Sequence, residues 1–372
     1  MFKKIIILSI FLFFPILVSA QTIKSDNSTN DQIFKAEVIK ILEERNIKRE
    51  DGSKALQQNL LLLGLEKKWK NKEIEHKGIS EIDMASANTY KVGDKVLVSE
   101  VKNADDTVDY FVVDFVRSGY LYLLAFLFVT IIVVIGKTKG IKSLISLALS
   151  FFVIINFIIP KILNGSNPLI IGVFGSLVIL AVIIYITDGW NRRSHISVVS
   201  VFFSLVITFI LSWIFTHLTR LTGLAQEEAV FLLGTNGGTI DFRGLLLTGI
   251  LIGTVGVLDD VVVGQVELVK QIRKANPNLT DKQIYRSAFK VGNAHLGAIV
   301  NTLFLTYAGA SLPLLLLFYL SPTGSASFTQ VINNEMIATE IVRTLVGSIG
   351  IALSVPISTL LATIWLKDKK LL

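Results

Sequence analysis

Two adjacent carboxylates, Asp259 and Asp260, stand inside an otherwise apolar run, and His295 and Asn301 stand inside the next one. Read as a helix, the first run places Gly249, Gly253, Gly256, Asp260 and Gly264 at spacings of four, three, four and four, on one face. Small residues on one stripe let another helix approach closely in lipid, so the four glycines read as a helix-packing seam. An acid on that stripe faces protein or water rather than acyl chains, where it can bind a cation or relay a proton. An unpartnered carboxylate at membrane depth costs roughly 2.5–3.5 kcal/mol on insertion scales, which implies a partner. In two antiparallel helices the climbs from Gln265 to Asp260 and from His295 to Asn301 reach comparable depth at ~1.5 Å per residue. His295 and Asn301 are therefore the candidate partners for transport or coupling. A competing reading stays open: the acids lie near the membrane surface and pair structurally with Lys270 or Arg273, with Asp259, off the stripe, reaching the headgroups.

The elements that must position these groups form a helical hairpin. Pro277 stops the first helix, and Thr280 with Gln283 three residues later is a capping-box pattern that starts the second near Asp281. The second helix then presents His295, Ala298, Thr302, Thr306 and Gly309 at spacings of three, four, four and three, a matching small or polar face.

Three stretches around this hairpin, GVLDDV, ANPNLT and VNTLFLTYAGASLPLLLLF, together resemble the YibE/F-like family of bacterial multi-span membrane proteins. The order of elements along the rest of the chain is similar to that family too. The resemblance implies a membrane transport or permease-like protein. One departure bears on the site: members of that family often carry Arg-Asp before the histidine of the turn helix, whereas Asn293 and Ala294 stand there in this chain.

Composition sets the class independently. A chain of 372 residues that is 52% hydrophobic and 17% charged, with mean hydropathy +0.62, describes a polytopic membrane protein with a modest soluble part. Residues 1–20 combine Lys3 and Lys4, an apolar run and a Val18-Ser19-Ala20 cleavage pattern, which reads as a secretory signal peptide; an uncleaved signal anchor is the competing reading. A polar linker over 21–33 leads into an extracytoplasmic β-domain, 34–117, in which five short alternating segments suggest a small OB-like or SH3-like barrel. Residues 21–117 carry 16 Lys/Arg against 18 Asp/Glu, no footprint for nucleic acid. The chain has no cysteine, so disulfides and thiolate metal sites are excluded.

The helical membrane domain, 118–372, offers seven candidate spans: Gly119–Gly136, Ser143–Ile159, Leu169–Ile186, Ile196–Leu218, Leu245–Val263, Leu296–Leu320 and Thr344–Trp365. With an exported amino-terminal domain, the loops after spans one, three and five and the carboxyl terminus are cytoplasmic. Those segments hold fourteen Lys/Arg and the loops between spans on the opposite side four, as the positive-inside rule expects for a bacterial cytoplasmic membrane. The net charge of +7 is then a topology signal.

No phosphate loop, paired-histidine zinc helix or nucleophile elbow is present, which argues against an enzyme and calls for no metal or cofactor. The expected function is a permease or transport component in the lipid bilayer. Alternatives are the membrane half of a pump, coupled to a separate ATPase through the basic hairpin from Lys270 to Lys290, and a scaffold or sensor whose β-domain binds an envelope partner or a second copy of the chain.

Overall fold

A computed structural model describes residues 32–48, 54–79, 89–103, 106–235, 240–319 and 328–366. The expected signal peptide and nearly all of the expected linker lie outside the described residues. The chain divides into two compact units, one running to Thr130 and the other from Ile131 onward.

In the first unit, β1 (Gln32–Lys48), β2 (Lys54–Gly64), β3 (Glu73–Lys77), β4 (Lys95–Lys102) and β5 (Val108–Phe115) form one antiparallel sheet in the order β3-β2-β1-β4-β5. The last two residues of the expected linker thus belong to β1. Alternation decides the inner face: Phe34, Ala36 and Val38 from β1, Leu60 and Leu62 from β2, Ile74 from β3, and Val96 and Val98 from β4 are all buried. Irregularities between Val38 and Lys40 and between Ile41 and Glu43 bend β1, and the sheet curls into a half-barrel, not a closed ladder. Where the edges come together a side chain makes the link, His76 Nδ1 of β3 lying 2.8 Å from the Tyr110 carbonyl oxygen of β5. Burial pushes the His76 imidazole pKa down, and the Tyr110 carbonyl pulls it part of the way back.

Trp69 is buried in the core of the half-barrel, its ring stacked on Phe34 with centroids 4.0 Å apart. Its Nε1–H donates to Glu100 at 2.6 Å, and Lys68 Nζ reaches the same carboxylate at 2.7 Å. Burial raises the Glu100 carboxyl pKa, but these two bonds outweigh it and hold it below the usual carboxylate range. A groove of about 670 Å³ opens beside them, walled by β3 and β5 residues such as Glu75, Lys77 and Tyr110.

Ten helices follow in the described residues: α1 (Ser118–Val153), α2 (Ile159–Leu163), α3 (Pro168–Asp188), α4 (Arg192–Leu218), α5 (Glu227–Thr235), α6 (Phe242–Ala275), α7 (Asp281–Ala310), α8 (Leu312–Tyr319), α9 (Phe328–Asn333) and α10 (Glu335–Trp365). Within α1 the chain breaks sharply at Lys137 (φ 49°). A Cβ on Gly140 would sit 2.2 Å from the Ile132 carbonyl oxygen, an approach that only glycine tolerates. The first two expected spans fall on either side of that break.

Five runs among the described residues are long and apolar enough to cross a membrane: Ser118–Leu163, Pro168–Asp188, Arg192–Leu218, Phe242–Ala275 and Glu335–Trp365. The expected sixth span is not among them. Its helix α7 carries a polar stripe and ends at Ala310, and Pro313 stands in the first turn of the separate helix α8. The second unit is organised around α6, which packs against α3, α4, α7 and α10. Leu251, Val255, Leu258, Val262, Val266 and Val269 put its apolar side into the core.

Candidate functional site

Helix α6 begins at Asp241, whose side chain caps it by accepting from Gly244 N at 3.0 Å, and runs to Ala275. The hairpin after it closes as the sequence implies, with Thr280 and Gln283 forming a reciprocal capping box that opens α7. Polar anchors then fix the other faces of α6. Thr248 Oγ1 donates to the Pro168 carbonyl at 2.7 Å, and Gly172 of α3 leaves room for the Thr248 side chain. Gln265 Nε2 donates both to the Ala288 carbonyl, at 2.8 Å, and to Thr359 Oγ1, at 2.7 Å, so one buried amide ties α6, α7 and α10 together. Gly292 lies against that amide: a Cβ there would meet Gln265 Oε1 at 2.6 Å.

Of the two cations offered as structural partners for the acids, Lys270 and Arg273, the arginine bonds elsewhere, and another arginine near α6 is paired as well. Arg273 Nη2 donates to Asp281, at 2.9 Å, and to the Thr363 carbonyl, at 2.9 Å. Arg193 pairs with Glu267. Asp259 is half-buried, and one of its carboxylate oxygens is enclosed without a hydrogen-bond partner among the described residues. Asp260 sits on the open side of α6, exposed, as do His295 and Asn301 on α7. The structure brings neither His295 nor Asn301 into hydrogen-bond contact with either acid among the described residues. The other three histidines are engaged: His76 with Tyr110, His195 Nδ1 with the Tyr185 hydroxyl at 2.8 Å, and His217 Nδ1 with the Trp213 carbonyl at 3.0 Å.

The glycine stripe does not make the close helix contact expected of it within this chain. A Cβ on Gly249, Gly256 or Gly264 would meet nothing within 4 Å, and one on Gly253 would meet only the Tyr307 hydroxyl, at 3.0 Å. The stripe is exposed because the branched and hydroxyl-bearing faces of α6 take up α3, α4 and α10. The seam that is closed lies between α4 and α10. There Ser200, Ser204, Thr208, Ser212 and Thr216 recur every fourth residue and are wholly buried. Gly350 of α10 sits so near that a Cβ would fall 2.0 Å from Thr208 Oγ1. Five small hydroxyl residues at i, i+4 in one apolar run are a signal that sequence reasoning passed over, and Gln265 is another.

A family model for YibE/F-like protein matches residues 124–368, from the first turns of α1 to just beyond α10. The chain belongs to the YibE/F-like family. No curated protein and no solved structure matches it. As a YibE/F-like membrane protein, it carries both the acids and the hairpin inside the matched region, while the half-barrel lies outside it. Among the described residues no three His, Cys, Asp or Glu side chains gather in a way that would hold a metal ion.

Proposed function

We propose that this YibE/F-like chain is a permease or transport component of the bacterial cytoplasmic membrane, moving a cation or proton along the open faces of α6 and α7. The observation that carries the reading is Asp260 without a partner among the described residues, on a membrane-length helix, while Arg273, one of its candidate structural partners, is engaged by Asp281 and the Thr363 carbonyl. A carboxylate so placed is costly unless it serves a water-filled or protein-lined path. His295 and Asn301 supply exchangeable polar groups on the next helix. The reading takes seven spans, with the break at Lys137 dividing the first two and α7 with α8 as the sixth, and it takes the half-barrel as extracytoplasmic and the carboxyl terminus as cytoplasmic.

The test uses full-length protein in liposomes with trapped pyranine, challenged with proton, sodium and potassium gradients. Asp260→Asn keeps the shape and removes the charge, so it should abolish flux while leaving folding intact. Asp259→Asn should do less to flux and should raise stability, because it removes a charge with an enclosed, unpartnered oxygen. Wild-type flux in Asp260→Asn sinks the reading. The scaffold reading draws on the groove beside Trp69, which suits an envelope partner. A partner retained by the full chain with no flux from the purified protein would favour it, and a stoichiometric ATPase in the same preparation would favour the pump.

A further inference from the structure

At the end of the helix bundle where α3 and α6 begin and α4 ends, a cavity of about 470 Å³ is lined by Trp213, His217, Leu224, Asp241, Arg243 and Leu247, among others. Its polar groups are held in place. Arg243 Nε donates to the Leu221 carbonyl at 2.9 Å, which fixes the guanidinium and leaves its Nη edge for other partners. His217 Nδ1 is bound to the Trp213 carbonyl, so its Nε2, 3.5 Å from Arg243 Nη1, backs the guanidinium from one side. The carbonyl that holds Arg243 is itself fixed, because Glu335 accepts from Thr222 N at 2.5 Å, from Thr222 Oγ1 at 2.7 Å and from Gly223 N at 3.3 Å. Gly223, at φ +82°, could not carry a side chain here, since a Cβ would strike the Phe242 carbonyl at 2.2 Å.

The charges do not cancel within the protein. Asp241 uses Oδ1 to cap α6, and no salt bridge joins it to Arg243 although both line the cavity. The two helix starts are not the attraction, since Asp241 caps one and Asn167 caps the other by accepting from Leu169 N and Ile170 N. What the cavity offers is a fixed guanidinium, a separate carboxylate and an apolar wall of Leu224, Leu247 and the Trp213 ring. A simple anion would be repelled by Asp241, and a simple cation by Arg243. A molecule bearing both an oxyanion and an ammonium satisfies both, with any hydrocarbon part against the wall.

We propose that this cavity is a binding site for a zwitterion, with its oxyanion on Arg243 and its ammonium on Asp241. Two sources share that chemistry, a free amino acid and the headgroup of phosphatidylethanolamine. The site goes beyond the transport reading, and its test needs no flux, so either can fail alone.

Full-length protein in detergent is titrated with leucine, with 4-methylpentanoate as the analogue lacking the amine and isopentylamine as the analogue lacking the carboxylate. Binding is followed by equilibrium dialysis and thermal stabilisation. In a parallel series the protein is placed in mixed micelles containing phosphatidylethanolamine or phosphatidylglycerol. Leucine, or phosphatidylethanolamine over phosphatidylglycerol, should bind, and each one-charge analogue should bind roughly tenfold or more weakly, the loss of one charge-assisted hydrogen bond. Stabilisation by leucine assigns the site to a free amino acid, and stabilisation by phosphatidylethanolamine alone assigns it to lipid. Asp241→Asn retains a good helix cap, so it should weaken the zwitterion while leaving 4-methylpentanoate binding unchanged or tighter. Arg243→Gln should weaken both. 4-Methylpentanoate or isopentylamine binding as tightly as leucine would overturn the proposal, and so would the absence of binding by any zwitterion to the folded wild-type protein. The analogue series on the wild type decides the matter even where a variant folds poorly.

Discussion

The close contact between Gly350 and Thr208 makes a quantitative test of which small-residue stripe builds the fold. An alanine at 350 would place its Cβ 2.0 Å from Thr208 Oγ1, 3.2 Å from Thr208 Cβ and 3.5 Å from Thr208 Cγ2. The hydroxyl cannot swing away freely, because it donates to the Ser204 carbonyl at 2.9 Å and the residue is wholly buried. Gly350→Ala should therefore destabilise the protein by about 1–3 kcal/mol, the usual cost of overpacking a fitted core. Thr208→Ala removes the two outer atoms and leaves only the 3.2 Å neighbour, a tight but tolerable distance. Alone it should cost about 1 kcal/mol or less, since the lost bond runs to its own helix. The double variant should then recover most of the loss, with a coupling of about 1–2 kcal/mol between the two sites. Gly256→Ala is the control. Nothing lies within 4 Å of its Cβ, so alanine should be neutral or should stabilise the helix by up to about 1 kcal/mol. Reversible unfolding in mixed detergent micelles, followed by circular dichroism, measures all four. The reasoning is refuted if Gly350→Ala is as stable as wild type, or if Thr208→Ala fails to rescue it.

Two further outcomes are expected. Because the chain has no cysteine, single cysteines report topology cleanly: one replacing Asn278 should resist an impermeant maleimide in intact cells and one replacing Asn27 should react, while the reverse pattern would invert every loop assignment. His76 should make the half-barrel sensitive to acid. Its folded pKa lies below the unfolded value near 6.5, so its contribution is complete above that pH and is lost as pH falls through 6.5 toward the folded value. With Trp190, Trp213 and Trp365 replaced by Phe, Trp69 fluorescence should show unfolding at lower denaturant as pH drops from 8 to 5, and His76→Gln should flatten that dependence. An unchanged slope in His76→Gln would remove the histidine from the account.

The parts of this fold that local chemistry dictates were legible in the chain. Pro277, Thr280 and Gln283 predict the hairpin and its capping box because those interactions span three residues. Strands such as β1 and β5 announce themselves by alternation and β2 by its apolar run from Asn59 to Leu65, but whether their sheet closes depends on the bulges in β1 and on the distance between β3 and β5, which no single segment encodes. The sixth span was harder to classify for a related reason. The residues that give α7 its polar stripe are the ones that lower its hydropathy, so the feature of interest erases the signal used to find it.

The site separates along the same line. Spacing places Gly249, Gly253, Gly256 and Asp260 on one face of α6, yet it says nothing about what covers that face. Two small-residue stripes exist, and their chemistry explains their different fates. On α4, Ser200 Oγ, Ser204 Oγ and Thr208 Oγ1 each donate to the carbonyl four residues back, at 2.7, 3.0 and 2.9 Å. The polarity of these three is spent within their own helix, so around Thr208 α10 meets a surface that is compact and nearly apolar, which permits the approach of Gly350, while further along Ser212 Oγ and Thr216 Oγ1 are buried without a hydrogen-bond partner among the described residues. Asp260 has no such local bond, since a carboxylate can only accept and the helix backbone around it has already committed its donors. A stripe holding that group resists burial against an apolar neighbour, so the glycines beside it remain open while the hydroxyl stripe closes. In the transport reading proposed above, the acid on that open stripe is the group that gives the side its chemistry.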